Sequence, residues 1–422
     1  MYRVWHSAES FANFIIDKTV LSTKDVVKKQ LKESDASAPN DFYKIPDHIR
    51  KILYLDCADI IIEKDNNPIL CIEETKEAGT GHNVTQRFSR IMAALENKVP
   101  TIYLQPEGTI ITRTRVDRAG VTVESSKWDP INPFLFAVME RATNLYQVPA
   151  LFYYYPTDIA EYRDDPANAP NYLNKGIRYD ANLDYPACPD SSDDAIVHML
   201  SVIDEIIRLV ETYGVVDYKN HLMGNRIIQE QRAFMNAEFA AKSNGNRPEN
   251  MSPATKTVVL PTEYLMNYLA QYENANYSIG ELLRQRQETV IYQVDSTFRG
   301  DPYAGSLSAI DCFMCRTGST YEDRDRNLVL AFGQVVIDTD NHTFRINSSK
   351  HTSVNDMFHN IQGSSRHNLL TKDYSELENY QIPRYFMQVR YGSIYSKTKH
   401  VRVYSHLADA IIFADGALWR DA

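Results

Sequence analysis

The chain reads as an α/β (α+β) protein: a mixed β-sheet flanked by helices, with a helical insertion and a β-rich C-terminal region. Three observations predict this. A strand, turn, strand, helix, strand pattern runs from Tyr54 to Pro106, two amphipathic helices follow at 193–213 and 221–242, and from Thr289 onward the pattern turns to short strands. The boundaries drawn on this basis are 1–156, 157–256 and 257–422.

In chain order, residues 7–34 are predicted helical. Phe11, Phe14, Ile15 and Val20 give an apolar side that Val26, Val27 and Leu31 continue after a break at Leu21-Ser22-Thr23, where Ser22 or Thr23 is the expected cap. The first core strand is Ala58 to Glu63, with Asp59, Ile61 and Glu63 on one face and Ile60 and Ile62 on the other. Asp65-Asn66-Asn67-Pro68 makes the turn, because Asn tolerates left-handed dihedrals and Pro can open a strand. The second strand, Ile69 to Lys76, points Leu70, Ile72, Glu74 and Lys76 one way. After a glycine-containing loop, a helix begins near Asn83 with Val84, Phe88, Ile91, Met92 and Leu95 on one face, and leads to the third strand. Trp128-Asp129-Pro130 is expected to open a helix over Asn132 to Tyr146, followed by the strand Ala150 to Tyr155.

The segment Pro156 to Asp194 is rich in Asp, Pro, Asn and Tyr and reads as a surface loop. The two helices beyond it carry apolar stripes, Ile196 to Val210 on the first and Leu222, Ile227, Ile228, Phe234 and Phe239 on the second. Ser243 to Lys256 is the expected linker, and a short helix spans Thr262 to Tyr272. The strands of the last region are Thr289–Val294, Leu307–Cys315, Asn327–Ile337, Thr343–Ile346, Tyr385–Tyr391 and His400–Tyr404.

Bulk properties narrow the class. The 422 residues are 43% hydrophobic and 24% charged, an ordinary globular balance long enough for two or three domains. Five cysteines without framework spacing point to a reducing compartment, and the start of the chain has no apolar leader. No run approaches the roughly 18 apolar residues of a membrane span. The expectation is a soluble, cytoplasmic protein with no membrane association. Cys312-Phe313-Met314-Cys315 lacks the second cysteine pair that a zinc site needs, and no Walker loop, repeat or heptad run is present.

Chemistry concentrates in the first hairpin. It brings Asp59 and Glu74 to one end of the sheet, with Lys76 two residues further on. Two carboxylates at that range repel unless a cation lies between them. Oxygen ligands suit magnesium, and a neighbouring ammonium suits an attacking water or a charged phosphate. Asp56 and Glu73 are the rival carboxylates, although Glu73 shares its face with Ile69 and Cys71 and stands at the wrong spacing from Lys76. The plain alternative is a surface hairpin with an ordinary cross-strand salt bridge.

Asp59, followed by Glu74-Thr75-Lys76 with a hydrophobic run before each, resembles the PD-(D/E)xK nuclease superfamily, which includes type II restriction endonucleases. The likeness extends over the following helix and strand, about the first third of the chain, and departs at Ala58, where the family motif has proline. It implies a restriction-endonuclease-like core within 1–156, in which Asp59, Glu74 and the Thr75 backbone carbonyl hold Mg2+ and Lys76 serves the water. Related nucleases place an acidic residue from an N-terminal helix near the metals, which makes Glu9 or Glu33 a candidate. The implied activity is magnesium-dependent, sequence-specific cleavage of double-stranded DNA by a homodimer, with a cognate DNA methyltransferase encoded separately. The alternatives are a repair or recombination nuclease that reads DNA structure, and a non-catalytic DNA-binding protein.

A net charge of −10 disfavours loose nucleic-acid attachment, so DNA contact needs a local basic surface. Gln86 and Arg87, in the first turns of the helix after the motif, are candidates, as is His82. Between Asn341 and His406 bases outnumber acids among Ser, Asn, Gln, His and Tyr, and Lys350, Arg366, Lys397 and Lys399 are the expected DNA contacts there.

Overall fold

The computed structural model describes residues 1–31, 45–53, 57–75, 88–131, 133–156, 185, 188–244, 257–271, 283–294, 325–347, 409–412, 414 and 418–419. Contacts divide the chain into two compact units. The first comprises Met1–Asp35, Lys44–Leu53 and Cys57–Gly245, and the second is chiefly Asn246–Ala422. The division falls inside the expected linker.

The first unit is built on a six-stranded mixed sheet in the order β2 (Val26–Gln30), β1 (Tyr2–His6), β3 (Ile60–Lys64), β4 (Asn67–Glu74), β5 (Thr101–Pro106) and β8 (Ala150–Tyr155). Its centre is the hairpin of β3 (Ile60–Lys64) and β4 (Asn67–Glu74). Asp65 and Asn66 turn it with φ of 50° and 63°. Positive φ at both central residues matches the right-handed twist of the flanking strands, which explains the Asn-rich turn. A bulge between Ile62 and Glu63 shifts the register, leaving Ile60 opposite Ile72.

The N-terminal segment departs from expectation. β1 (Tyr2–His6) pairs antiparallel with β3, and only Glu9–Lys18 forms the helix α1. A 3-10 turn at Val20–Thr23 follows, and β2 (Val26–Gln30) then lies parallel to β1. Val26 and Val27 are β-branched, and their spacing to Leu31 satisfies either period, so pairing to β1 decided the matter. Thr19, rather than Ser22 or Thr23, caps the turn by accepting from the Leu21 amide at 3.3 Å.

A short helix α2 (Asp47–Arg50) precedes β3. The described part of the next helix, α3 (Phe88–Glu96), buries Ile91, Met92 and Leu95 as its pattern predicts and leads to β5 (Thr101–Pro106), parallel to β4. Two strands absent from the sequence reading come next. β6 (Gly108–Val116) and β7 (Thr122–Pro130) form a two-stranded sheet of their own. Trp128-Asp129-Pro130 therefore ends a strand, and α4 (Phe134–Tyr146) starts only after it. β8 (Ala150–Tyr155) completes the sheet, parallel to β5.

Three helices follow: α5 (Asp194–Asp217), bent at Gly214 where φ is 83°, α6 (Lys219–Leu222) and α7 (Arg226–Lys242). The single helix expected over 221–242 breaks because the Asn225 side chain caps a new one, accepting from the Ile227 and Ile228 amides. α7 buries Ile228, Gln231 and Met235 and leaves Phe234 exposed. It covers the free side of β8, where Gln231 Nε2 donates to the Phe152 carbonyl at 2.6 Å and Met235 Sδ accepts from the Phe152 amide.

Strand alternation assigns the two faces of the sheet. Val4, Ile62, Leu70 and Ile72 share the face covered by α1 and α5, to which Tyr2 is tied by its hydroxyl on Glu211 at 3.1 Å. Ile61, Cys71, Glu73, Tyr103 and Phe152 share the opposite face, where Phe136 of α4 meets Phe152 edge-on at 5.1 Å.

Where α1 passes into the 3-10 turn, Asp204 of α5 accepts the Val20 amide at 2.6 Å, and burial holds its carboxyl above the usual aspartate range. A raised folded pKa stabilises at low pH and loses that contribution as pH rises through it. Asp204→Asn keeps an acceptor for Val20 without the charge. We expect it to raise Tm at pH 7, with the gain shrinking as acid protonates the wild-type carboxyl; a Tm series over pH reads this directly.

In the second unit, β9 (Thr257–Pro261) leads into α8 (Thr262–Ala270). β10 (Glu288–Val294), β11 (Asn327–Phe332), β14 (Ala410–Ile412) and β15 (Leu418–Trp419) join β9 in the order β15-β14-β11-β10-β9. The run expected as one strand over 327–337 is two, because Gly333 sits at φ 136° and the chain turns there into the hairpin of β12 (Gln334–Asp338) and β13 (Thr343–Asn347). Tyr268 stacks on Phe344 at 4.5 Å in this unit's core. The strands expected at 307–315, 385–391 and 400–404 lie outside the described residues. Among the described residues no helix is long and apolar enough to cross a membrane.

Candidate functional site

β4, β5 and β8 run parallel, so their C-terminal ends form one rim of the sheet. Asp59 reaches the same rim from the start of β3. Its carboxylate accepts the Ser7 hydroxyl at 2.8 Å and the Glu74 amide at 2.9 Å, which fixes its position with both oxygens engaged. The hairpin does carry Asp59 back to Glu74, as its pattern predicts.

The carboxylate that converges on Asp59, however, is that of Glu73. Continuing the register past Ile60 and Ile72 puts Asp59 opposite Glu73, on the face covered by α3. Glu73 Oε2 accepts the Asp59 amide at 3.2 Å, and its Oε1 accepts from Arg90 Nη1 at 3.1 Å. The same Arg90 nitrogen lies 3.5 Å from Asp59 Oδ1. Glu73 is wholly buried and Arg90 nearly so, which is tolerable only because opposite charges meet. Alternation sends the Glu74 side chain to the face of α5.

Thr75 is buried, and its amide continues the ladder by donating to the Leu104 carbonyl at 2.9 Å. Gln105 stands one residue beyond Leu104 on the face of Glu73. It is fully buried, and among the described residues neither Nε2 nor Oε1 of its amide finds a hydrogen-bond partner. Burial, with Glu73 and Asp59 nearby, pushes the Cys71 thiol well up, so this cysteine is no nucleophile.

Lys76, His82, Gln86, Arg87, Lys350, Arg366, Lys397 and Lys399, together with Asp56, Glu33 and the Cys312–Cys315 pair, lie outside the described residues. Glu9 is exposed on α1 and pairs with Lys28 at 3.0 Å, which holds its carboxyl below the usual range. At the far end of β3, Glu63 is fully buried but engaged by Arg3 at 2.5 Å and the Trp5 indole at 2.6 Å, a structural cluster.

A concavity of about 610 Å3 opens on the other side of the rim, lined by Glu107, Tyr153, Asp193, Asp194, His198 and Phe234 among others. Tyr153 Oη and His198 Nδ1 are 3.1 Å apart, and burial lowers the His198 pKa. Its carboxylates repel a phosphate backbone.

The donor set on the Glu73 face fits magnesium in kind. Among the described residues no group of three or more His, Cys, Asp or Glu side chains converges, but magnesium takes only one or two protein carboxylates and leaves its other positions to water and substrate. Asp59 and Glu73 already surround one positive group. A cation held by these two carboxylates would have to replace the charge that the Arg90 guanidinium now supplies to them.

The sequence reading places Arg90 off the apolar face of its helix without giving it a role, and it does not single out Gln105. Their signals were available: an arginine in the apolar run of α3, and a glutamine in the otherwise apolar strand β5. Comparison of the chain with models of protein families, with curated proteins and with solved structures finds no match.

Proposed function

We propose that the first unit is a magnesium-dependent phosphodiester hydrolase acting on double-stranded DNA, of the kind found in type II restriction enzymes. The observation that carries this reading is the convergence of Asp59 and Glu73 on a single cationic position at the rim of the sheet. The α3–β5 passage after β4 and the parallel pairing of β5 with β4 also agree with the core that the motif implies.

In this reading Asp59 and Glu73 hold the ion, Glu74 and Thr75 fix the rim through their backbone, and Lys76 keeps the role that the resemblance gives it. Bound magnesium supplies charge neutralisation for the phosphate under attack. Arg90, released from the carboxylates, presents a fork suited to phosphate oxygens. The buried Gln105 amide offers both a donor and an acceptor to a water or phosphate beside it. A homodimer cutting both strands, and a separately encoded methyltransferase protecting the host, complete the proposal.

One observation favours a second reading. Arg90 already neutralises both carboxylates, as it would in a DNA-binding protein without catalysis. The test is incubation of the purified protein with long duplex DNA, in magnesium and in EDTA. Discrete bands that require magnesium support a sequence-specific nuclease, a smear supports a structure-reading one, and intact DNA on both methylated and unmodified substrate refutes cleavage.

A further inference from the structure

We propose that the concavity of about 610 Å3 between α5, α7 and the end of β8 is a binding site for a small organic cation, an ammonium group carried on an apolar or aromatic body. The proposal goes beyond the nuclease reading and does not depend on it.

Three observations carry it. The first is size and lining. A volume of this order is that of a small-ligand pocket, and such pockets are mostly apolar with a few polar groups. Two pairs of rings stand along it: Tyr154 and Phe234 with centroids 6.0 Å apart, and Tyr153 and His198 with centroids 5.9 Å apart. Phe234 is 42% exposed, on a helix whose Ile228, Gln231 and Met235 are buried. A large ring left open to water beside a concavity is apolar surface that a ligand can cover.

The second is charge. Glu107, Asp193, Asp194 and Glu230 line the same concavity, and among the described residues no lysine or arginine does. Asp193 and Asp194 stand at the positive end of α5. Glu230 also meets Arg226 at 3.3 Å, in an exposed i,i+4 pair that offsets little of its charge. His198 adds little positive charge at neutral pH, because burial lowers its pKa from the ordinary histidine value. The concavity therefore repels an anion and draws in a cation.

The third is that the two features meet in one ligand chemistry. An ammonium is attracted to the face of an aromatic ring, more strongly where water is excluded, while its apolar body covers the remaining ring surface. The tyrosines are already held in place: Tyr154 Oη donates to Glu238 at 2.9 Å, and Tyr153 Oη lies 3.1 Å from His198 Nδ1. A ligand thus meets walls that need little further ordering. Lys242, whose Nζ is 5.9 Å from the centre of the Tyr154 ring, is paired with Glu238 at 3.3 Å and is not among the lining residues.

The test is isothermal titration calorimetry of the purified full chain, without DNA. The probes are phenethylammonium and benzyltrimethylammonium, with phenylethanol and phenylpropanoate as neutral and anionic counterparts. Both cations are expected to bind with Kd of about 1 mM or tighter, the alcohol at least about tenfold more weakly, and the anion not at all. Phe234→Ala is expected to weaken cation binding about tenfold, and Asp194→Asn combined with Glu230→Gln about fivefold. Val197→Ala, exposed on α5 but outside the lining, is expected to bind like wild type, and all three proteins to keep the wild-type Tm. If the alcohol binds as tightly as the cations, the concavity selects the apolar body alone and the proposal falls. It falls as well if neither cation gives saturable binding to folded wild type. Wild-type binding in both Phe234→Ala and the charge variant puts the cations elsewhere and overturns it too. Should Phe234→Ala lower Tm, the charge variant, whose two side chains are exposed, decides by the same comparison.

Discussion

Asp59→Asn is expected to lower magnesium-dependent DNA cleavage on the order of 10³-fold, about 4 kcal/mol of transition-state stabilisation. The substitution keeps an oxygen for the Ser7 hydroxyl or the Glu74 amide, so the fold and Tm are expected to hold while the charge that draws a cation is lost. Glu73→Gln is expected to have a comparable effect. Glu74→Gln is expected to have a smaller one, because alternation turns that side chain toward α5. Single-turnover cleavage of the three variants in parallel decides which carboxylate partners Asp59. If Glu74→Gln proves the more damaging, the motif as written in the sequence is the working site and the Glu73 assignment is wrong.

Arg90→Ala is expected to destabilise the first unit by about 3–5 kcal/mol, since it removes the guanidinium nearest a fully buried carboxylate. Adding Glu73→Gln to it should recover much of the loss, because the charge that required compensation is gone. Denaturant titration of wild type, both single variants and the double variant gives the coupling directly. Additive effects would show that Arg90 stabilises by packing alone. The two experiments inform each other, because the arginine that holds this site together is also the charge that a bound cation would replace.

The sequence made the β3–β4 hairpin legible because its two signals, alternating isoleucines and an Asn-rich turn, agree. It did not reveal which glutamate faces Asp59. That depends on how two positive-φ residues and a bulge at Ile62/Glu63 set the register, and a shift of one residue exchanges Glu73 for Glu74. β2 was read as helix because Val26, Val27 and Leu31 fit both periods, and only β1 beside it resolves the choice. The stripe from Ile196 to Val210 was plain, since seven apolar residues at helical spacing have one solution, and all of them are buried in α5. The β6–β7 hairpin was passed over because its strands carry Thr, Arg and Ser in place of a hydrophobic alternation. Arg90 and Gln105 belong to the site through folding, from elements that spacing to the motif cannot connect.

The two margins of the main sheet differ in a way that bears on self-association. Along β8 the α7 helix occupies the outer side, and Gln231 and Met235 take up the Phe152 backbone groups that another chain would seek. Along β2 the strand is five residues long and exposes Lys28, Lys29 and Gln30; Lys28 is paired with Glu9, and the Lys29 of an incoming copy meets like charge. Joining two copies by strand addition is thus blocked at one margin and repelled at the other. The same two devices guard the unit against fibrillar growth.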